Sequence, residues 1–461
     1  MTTPTGQPAD PLALLRTRGY VALLVLAAIL GVPIAAVAYG FLKLVDVLQE
    51  AVFTHLPSGL GFDGEPLWWP LLPLALAGVL VALTIRYLPG RGGHSPADGF
   101  KARGVITPNQ IPGVFLAALA TLALGAVLGP EAPLIALGGG LAVLALHFAK
   151  RDMPAQTLAV VGGAGSFAAI ATLFGSPIPA AFLLMEAASL GGAMLDVVLL
   201  PGLLAAGIGA LIFVGLDAWT GFGTFSLAIP NLPQYSHPDL AQFGWALVLA
   251  PAAAIIGTVI HRLALAVRPH VERRLVLLTP IAGLAVAGLA IAYAAATGKE
   301  SSEVLFSGQS ALPTLVDQAS SYSVGALLML LLCKSLAYSV SLSSFRGGPV
   351  FPAMFIGAAG GIAMSHLPGL PLVPAVAMGI GAMSVTMLRL PLTSVLLATI
   401  LLSSDALAVT PLVIVAVVIA YVIAARIAPP PDKTPAESPP APTARESTTT
   451  PDVAPATGTA R

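Results

Sequence analysis

The sequence predicts an all-α integral membrane protein, built as an inverted-repeat bundle of tilted and broken helices. Three observations lead to this prediction. First, 57% of the 461 residues are apolar and 9% are charged, whereas roughly 25% of the residues in soluble domains are charged. Second, apolar segments of about 20 residues recur along the chain, and each is long enough to cross a bilayer. Third, a Gly-Pro pattern occurs twice in the same order.

The alternation of polar and apolar sequence divides the chain into five parts. They are a cytoplasmic N-terminal segment (1–19), a first membrane half (20–215), an external loop (216–243), a second membrane half (244–425) and a tail (426–461). The tail is rich in proline and has no aromatic residue, so we expect it to be disordered.

The distribution of basic residues predicts the orientation. No Lys or Arg occurs between Arg151 and Arg262, whereas four arginines crowd the loop at 262–274. Basic loops stay on the cytoplasmic side of a membrane. We therefore expect a multi-pass protein of the cell membrane with both termini in the cytoplasm.

Each half contains a predicted helix start with the pattern G-P-x-x-P-x-x-x-x-G. Proline suits the first turn of a helix, where its missing N–H would have no partner. The repeated order favours duplicated halves, and ordinary Gly/Pro enrichment of membrane helices is the alternative. The pattern is Gly129-Pro130-Glu131-Ala132-Pro133 with Gly138, and Gly348-Pro349-Val350-Phe351-Pro352 with Gly357; Ser176-Pro177-Ile178-Pro179 and Leu390-Pro391-Leu392-Thr393 follow as a second pair.

Both helix starts lie deep in apolar sequence, which suggests a binding site. A helix broken within the membrane is tolerated where it is buried in protein or lines a wet cavity. Its free N–H groups and positive dipole end attract anions. We therefore expect the two helix ends to face each other and form an anion site. A loop at the membrane surface that happens to start a helix is the other interpretation.

Two acidic residues stand alone in apolar sequence. Glu131 is the only charged residue between Arg103 and Lys150, and ionisable groups at membrane depth usually face a pathway or a partner. We predict that Glu131 gates the site or carries protons. Glu186 is the only charge between Asp152 and Asp196. It is a possible inner acid, or a side chain near a helix end that reaches water.

These motifs resemble those of the CLC family of chloride channels and proton-coupled chloride exchangers, from about residue 20 to 425. The family's glutamate lies in G-[KR]-E-G-P, which is similar to residues 129–133, and its G-x-F-x-P motif is similar to 348–352. The resemblance implies transport of small anions, above all chloride, by a homodimer with one path in each subunit. It also implies that the anion-binding residues are Gly93, Ser95, Glu131, Ala132, Val350 and Phe351.

The chain departs from the family pattern in ways that leave the anion and the mechanism open. The family's anion-binding serine matches Gly93, so Ser95 would serve only through a rebuilt loop. Prolines 130 and 349 stand where family members offer N–H donors, and the exchangers' second inner acid matches Ala187. The family's pore-lining tyrosine has no counterpart, because Tyr421 lies too early. Channel-like and proton-coupled movement both remain open, and a fluoride or other anion/proton antiporter is the alternative.

Other classes of function are less well supported. The sequence contains no H-E-x-x-H, G-x-S-x-G or G-x-x-x-x-G-K-[ST] motif, so we predict no catalytic residue, no metal site and no cofactor. No basic patch is interleaved with aromatic residues, which argues against a nucleic-acid partner. The predicted partners are chloride or another small anion, the lipid bilayer and, in a coupled mechanism, protons.

Overall fold

A computed structural model describes residues 16–100, 106–149, 153–188, 193–221, 229, 232–233, 235, 237–402 and 406–427. Across these ranges the regular structure is helical, and a single β-bridge joins Gly129 to Gly348. The predicted all-α class is confirmed. Most of the predicted N-terminal segment and nearly all of the predicted tail lie outside the described residues.

The first membrane half is a series of helices that ends later than predicted. A π-helical turn at Ala51–His55 continues the first helix into the second. The last helix runs to Thr220, five residues beyond the expected end of this half at 215. The helices are α1 (Arg18–Glu50), α2 (Leu56–Gly59), α3 (Leu71–Tyr87), α4 (Ile111–Ala123), α5 (Glu131–Ala149), α6 (Ala155–Phe174), α7 (Pro177–Ala187) and α8 (Ala193–Thr220).

The second half begins at Leu240, four residues before its predicted start at 244, and ends at Ile427. Its first helix opens with a capping box, in which the Asp239 and Gln242 side chains pair with backbone N–H groups. The helices are α9 (Leu240–Arg273), α10 (Leu275–Thr297), α11 (Ala311–Asp317), α12 (Val324–Ser344), α13 (Val350–Ser365), α14 (Leu372–Leu388), α15 (Pro391–Ile400) and α16 (Ala406–Ile427).

Within the described residues, eight helical segments are long and apolar enough to cross a membrane. Shorter apolar helices of 10–17 residues, among them α7, α13 and α15, lie between them. Such short helices are typical of broken membrane segments whose ends are buried in protein. The chain is therefore a multi-pass membrane protein of the predicted kind.

The helix order supports the predicted duplication. Helices α5 to α8 have 19, 20, 11 and 28 residues and helices α13 to α16 have 16, 17, 10 and 22, so the third is the shortest and the fourth the longest in both sets. The Pro-led α7 and α15 begin at the second pair of motifs. The final glycine of each G-P pattern lies at a close crossing of two helices. A Cβ at Gly138 would collide with the Gly165 carbonyl of α6, and a Cβ at Gly357 with the Gly379 carbonyl of α14. Only glycine permits these two helix crossings.

The basic part of α9 contacts two other segments, the loop between α3 and α4 and the end of α16. Arg268 forms an ion pair with Asp98, in the loop between α3 and α4. Arg262 donates to the carbonyl of Ile427, at the end of α16. These segments therefore lie on the side that the basic residues predict to be cytoplasmic. Helix α10 crosses from there, so the loop after Thr297 lies on the opposite side.

Candidate functional site

The two helix starts meet near the centre of the bundle. The N–H of Gly129 donates to the Gly348 carbonyl at 2.7 Å, and the N–H of Gly348 donates to the Gly129 carbonyl. Each glycine precedes a proline and then the first residue of a helix, α5 or α13. The reciprocal bond therefore holds the N-termini of the two helices close together, as the sequence pattern predicts.

The Glu131 side chain lies against the start of the opposite helix. It is fully buried, and its Oε1 accepts a hydrogen bond from the Phe351 N–H of α13 at 3.0 Å. Its Oε2 has no hydrogen-bond partner among the described residues. A negative group thus occupies the position where free N–H groups and a helix dipole attract anions.

Two cavities are lined by the neighbours of Glu131 in the chain. The cavity on the side of the loop after Thr297, here called the outer cavity, has a volume of 240 Å³ and is lined by Leu128, Pro130 and polar residues that include Gln49 and Gln309. The cavity on the side of the basic part of α9, here called the inner cavity, has a volume of 60 Å³ and is lined by Gly93, Ser95, Ala132, Pro133, Arg346 and Pro349 among others. Because Pro130 lines the outer cavity and Ala132 the inner one, the Glu131 backbone lies between them.

The inner cavity brings together three of the predicted anion-binding residues, Gly93, Ser95 and Ala132. The backbone of the loop before Ser95 has an unusual path, because four successive residues, 90–93, have positive φ angles between 51° and 93°. Three of the four are glycines, which adopt this region without strain. The sequence alone could not decide whether Ser95 reaches the cavity. In the structure it does, and so does Gly93.

The Ser95 hydroxyl has no protein partner. The residue is 9% exposed, and its Oγ is buried without a hydrogen bond to any described residue. Buried hydroxyl groups nearly always find a partner, because an unpaired one costs about 1–3 kcal/mol. The hydroxyl is therefore available to a ligand in the inner cavity. Its role in anion binding remains a prediction.

Arg346 was missed as a site residue. It lies between α12 and α13 and lines the inner cavity beside Ser95. The sequence does contain a signal for it, since Arg346 is the only Asp, Glu, Lys or Arg between Lys334 and Arg389. The same reasoning that identifies Glu131 would have identified Arg346.

Glu186 lies apart from these cavities and caps a helix. Its Oε1 accepts from the Leu392 N–H at 3.0 Å, and its Oε2 accepts from the N–H and the hydroxyl of Thr393 at 2.8 and 2.7 Å. These donors belong to the first turn of α15. The contacts favour a structural role, because a carboxylate at a helix N-terminus satisfies its free N–H groups. A role as inner acid remains a prediction.

Two further buried side chains support the site. The Lys334 ammonium donates to the carbonyls of Glu303 and Leu305, both at 2.9 Å, and so holds the loop that borders the outer cavity. Tyr338 donates its hydroxyl to the Pro349 carbonyl at 2.8 Å, next to the start of α13. These contacts fix the backbone around Glu131 without supplying a ligand.

Comparison with known proteins gives one family. The family model described as voltage gated chloride channel matches residues 96–425. A protein of Salmonella choleraesuis (strain SC-B67), named "Putative ion-transport protein YfeO", is 30% identical over 375 residues, which cover 77% of this chain and 84% of that protein. The protein of the same name from Salmonella typhimurium (strain LT2) is 29% identical over the same coverage.

Solved structures share the fold. A slow cyanobacterial Cl⁻/H⁺ antiporter has a TM-score of 0.70 at 18% identity, covering 88% of this chain and 94% of that one. A CLC-type fluoride/proton antiporter has a TM-score of 0.66 at 22% identity, covering 88% and 95%. A eukaryotic CLC transporter has a TM-score of 0.64 at 16% identity, covering 91% and 73%.

Proposed function

Because the chain belongs to the voltage gated chloride channel (CLC) family and transports anions, we propose that it carries chloride between the outer and inner cavities, with Glu131 as the gate. The observation that supports this proposal is the position of the Glu131 carboxylate, which accepts the Phe351 N–H between the two cavities. The carboxylate occupies the place that a passing anion would take.

Protonation opens this gate. The ionised carboxylate is held by the N–H groups and dipole of α13. The neutral acid is held less strongly, because a hydrogen bond to an uncharged acceptor is about half as strong as one to a charged acceptor. An anion can then compete for the same N–H groups. Anion flux should therefore rise as the pH falls.

The substitution Glu131→Gln tests the gate, because it imitates the neutral acid at nearly constant volume. The substituted protein should pass anions and lose the pH dependence of the flux. The measurement is chloride efflux from liposomes between about pH 4.5 and 7.5, a range that covers the titration of carboxyl groups at buried sites. Glu186→Gln is the matched control and should keep the wild-type pH profile. If Glu131→Gln also keeps it, Glu131 is not the gate.

We further propose that anion movement is poorly coupled to protons. Ala187 stands where the resembled exchangers place an inner acid, and both carboxylate oxygens of Glu186 are engaged by α15. A chloride gradient imposed on proteoliposomes should therefore fail to drive uphill proton movement. Proton uptake at a fixed ratio to chloride would establish an exchanger instead.

The assembly and orientation are proposed on separate grounds. The family resemblance supports a homodimer in the cell membrane, and the contact between Arg262 and the Ile427 carbonyl supports a cytoplasmic end for α16. In a Cys333→Ser background, Ile427→Cys should react with an impermeant thiol reagent only from the cytoplasmic side. Trp219 is 86% exposed, and Trp219→Cys should react only from outside.

Light scattering of the protein in detergent should give twice the mass of one chain.

A further inference from the structure

We propose that Arg346 determines which anion the pathway accepts, by placing a fixed guanidinium in the inner cavity that the Ser95 hydroxyl also lines. The site would bind weakly hydrated monovalent anions, such as chloride and nitrate, in preference to fluoride. This inference rests on the proposed pathway and adds a residue and a substrate class to it. Arg346 and Ser95 both line the 60 Å³ cavity on the inner side of Glu131.

The guanidinium is positioned by neutral groups. Its Nε donates to the Arg91 carbonyl at 3.3 Å and its Nη1 to the Phe345 carbonyl at 3.1 Å. The Arg346 backbone N–H donates to the Thr121 hydroxyl at 3.3 Å. Guanidinium carries five N–H donors in a rigid plane, so these contacts leave donors for a ligand. They also fix the direction of the group.

No carboxylate forms an ion pair with Arg346 within the described part of the chain. The charges of Asp98 and Glu272 act on the guanidinium from a distance, and both acids form ion pairs with Arg268. A partly buried guanidinium without an ion-pair partner loses part of its hydration without compensation. An anion in the inner cavity would supply the missing charge.

The Ser95 hydroxyl supplies the second, independent observation. It is buried beside the same cavity and has no hydrogen-bond partner among the described residues. One anion placed in the cavity could accept from the hydroxyl and from the guanidinium together. Gly93 lacks the hydroxyl of the family's serine, and two other side chains replace that hydroxyl. Ser95 is neutral and Arg346 is charged.

The chemistry of the lining predicts selectivity. Among the lining residues the side-chain donors are His94, Ser95 and Arg346, and the prolines have no N–H, so the side chains of the cavity offer few donors. Fluoride holds its water strongly and would lose more hydration than these donors replace. Guanidinium is itself weakly hydrated, and its planar donors suit chloride or a flat oxyanion such as nitrate.

The test is calorimetric titration of the purified full-length protein with chloride, nitrate and fluoride near pH 7.5. Wild-type protein should bind chloride and nitrate more tightly than fluoride. Arg346→Gln should weaken chloride binding by about tenfold to a hundredfold, the usual effect of losing a charge-assisted hydrogen bond. Arg346→Lys keeps the charge without the planar donors and should fall between the two. Ser95→Ala should weaken binding by about tenfold or less.

The matched control is Arg262→Gln, which removes an arginine that also donates to a carbonyl but does not line the cavity. It should bind chloride like the wild type. The proposal is overturned if Arg346→Gln binds chloride as tightly as the wild type, or if wild-type protein prefers fluoride. Should Arg346→Gln not fold, the wild-type anion preference and the Arg346→Lys affinity decide. If these binding predictions fail while Glu131→Gln still abolishes the pH dependence of the flux, the proposal for Arg346 is wrong and the proposed gate is still supported.

Discussion

Glu131 and Glu186 give the same signal in the sequence and have different surroundings in the structure. Each is a lone charge in an apolar stretch, and each reaches the N-terminus of a helix in the opposite half. Glu186 is fully engaged, because Leu392 and Thr393 supply donors to both of its oxygens. Glu131 accepts one bond, from Phe351, and its second oxygen has no partner among the described residues.

This difference separates a helix cap from a proposed gate. A carboxylate with both oxygens satisfied loses several contacts when it moves, so it stabilises one arrangement. A carboxylate held by one hydrogen bond between two cavities can leave when it is protonated or displaced. The number of donors at a buried acid, rather than its isolation in the sequence, therefore indicates which acid can move.

Among the variants that test this comparison, Gly348→Ala is expected to have the largest effect. An added Cβ would collide with Oε2 of Glu131, at the end of a flexible side chain. The methyl group would take the volume that the carboxylate, or an anion replacing it, needs. Chloride flux should fall by about tenfold or more at every pH, the expected result of overpacking by a methyl group.

The matched control is Gly360→Ala, within α13, where the nearest atom to an added Cβ is 3.9 Å away. This variant should keep the wild-type flux. Combining Gly348→Ala with Glu131→Gln should not restore transport, because the methyl group remains in the path. Wild-type flux and pH dependence in Gly348→Ala would show that the carboxylate does not occupy the conducting position.

A smaller effect is expected from Glu186→Gln. The amide keeps one acceptor oxygen and loses the charge that complements the α15 dipole, so stability should fall by about 1 kcal/mol. Thermal unfolding in detergent measures this loss. The pH dependence of chloride flux should stay unchanged. A variant that unfolds normally but loses a proton flux present in the wild type would identify Glu186 as a proton carrier.

The smallest effect is expected from Thr393→Val, which removes only the hydroxyl bond to Glu186. The backbone N–H groups of Leu392 and Thr393 still cap the carboxylate. The loss of stability should be about 0.5 kcal/mol, the lower end of the net value of one hydrogen bond, with flux unaffected. A loss of stability larger than that of Glu186→Gln would show that Thr393 stabilises the protein through other contacts as well.

Much of the fold could be predicted because its causes are local. Proline at a first helical turn predicts the starts of α5, α7, α13 and α15, and the repeated G-P pattern with Gly138 and Gly357 predicts the duplicated halves. Glu131 could be identified because charge is rare at membrane depth. These features depend on neighbouring residues and on the apolar environment of the bilayer. Both can be inferred from a single sequence.

The inner cavity could not be predicted, because it depends on distant contacts. Ser95 reaches it only through a loop with four positive φ angles, and one of these belongs to Arg91, a residue type that rarely adopts them. Arg346 is fixed by the Arg91 carbonyl, 255 positions away in the chain. Glu186 likewise meets Thr393 over 207 positions, which no local pattern reveals.

The central claim is that the Glu131 carboxylate occupies the position of a transported anion. Anomalous diffraction from crystals grown in bromide tests it most directly. In wild-type protein near pH 7.5, bromide should be absent from the start of α13, where the carboxylate accepts the Phe351 N–H. In Glu131→Gln, a bromide ion should lie within hydrogen-bond distance of that N–H. If the variant binds no bromide there while still passing anions, the carboxylate does not stand in for an anion and the proposed gate is wrong.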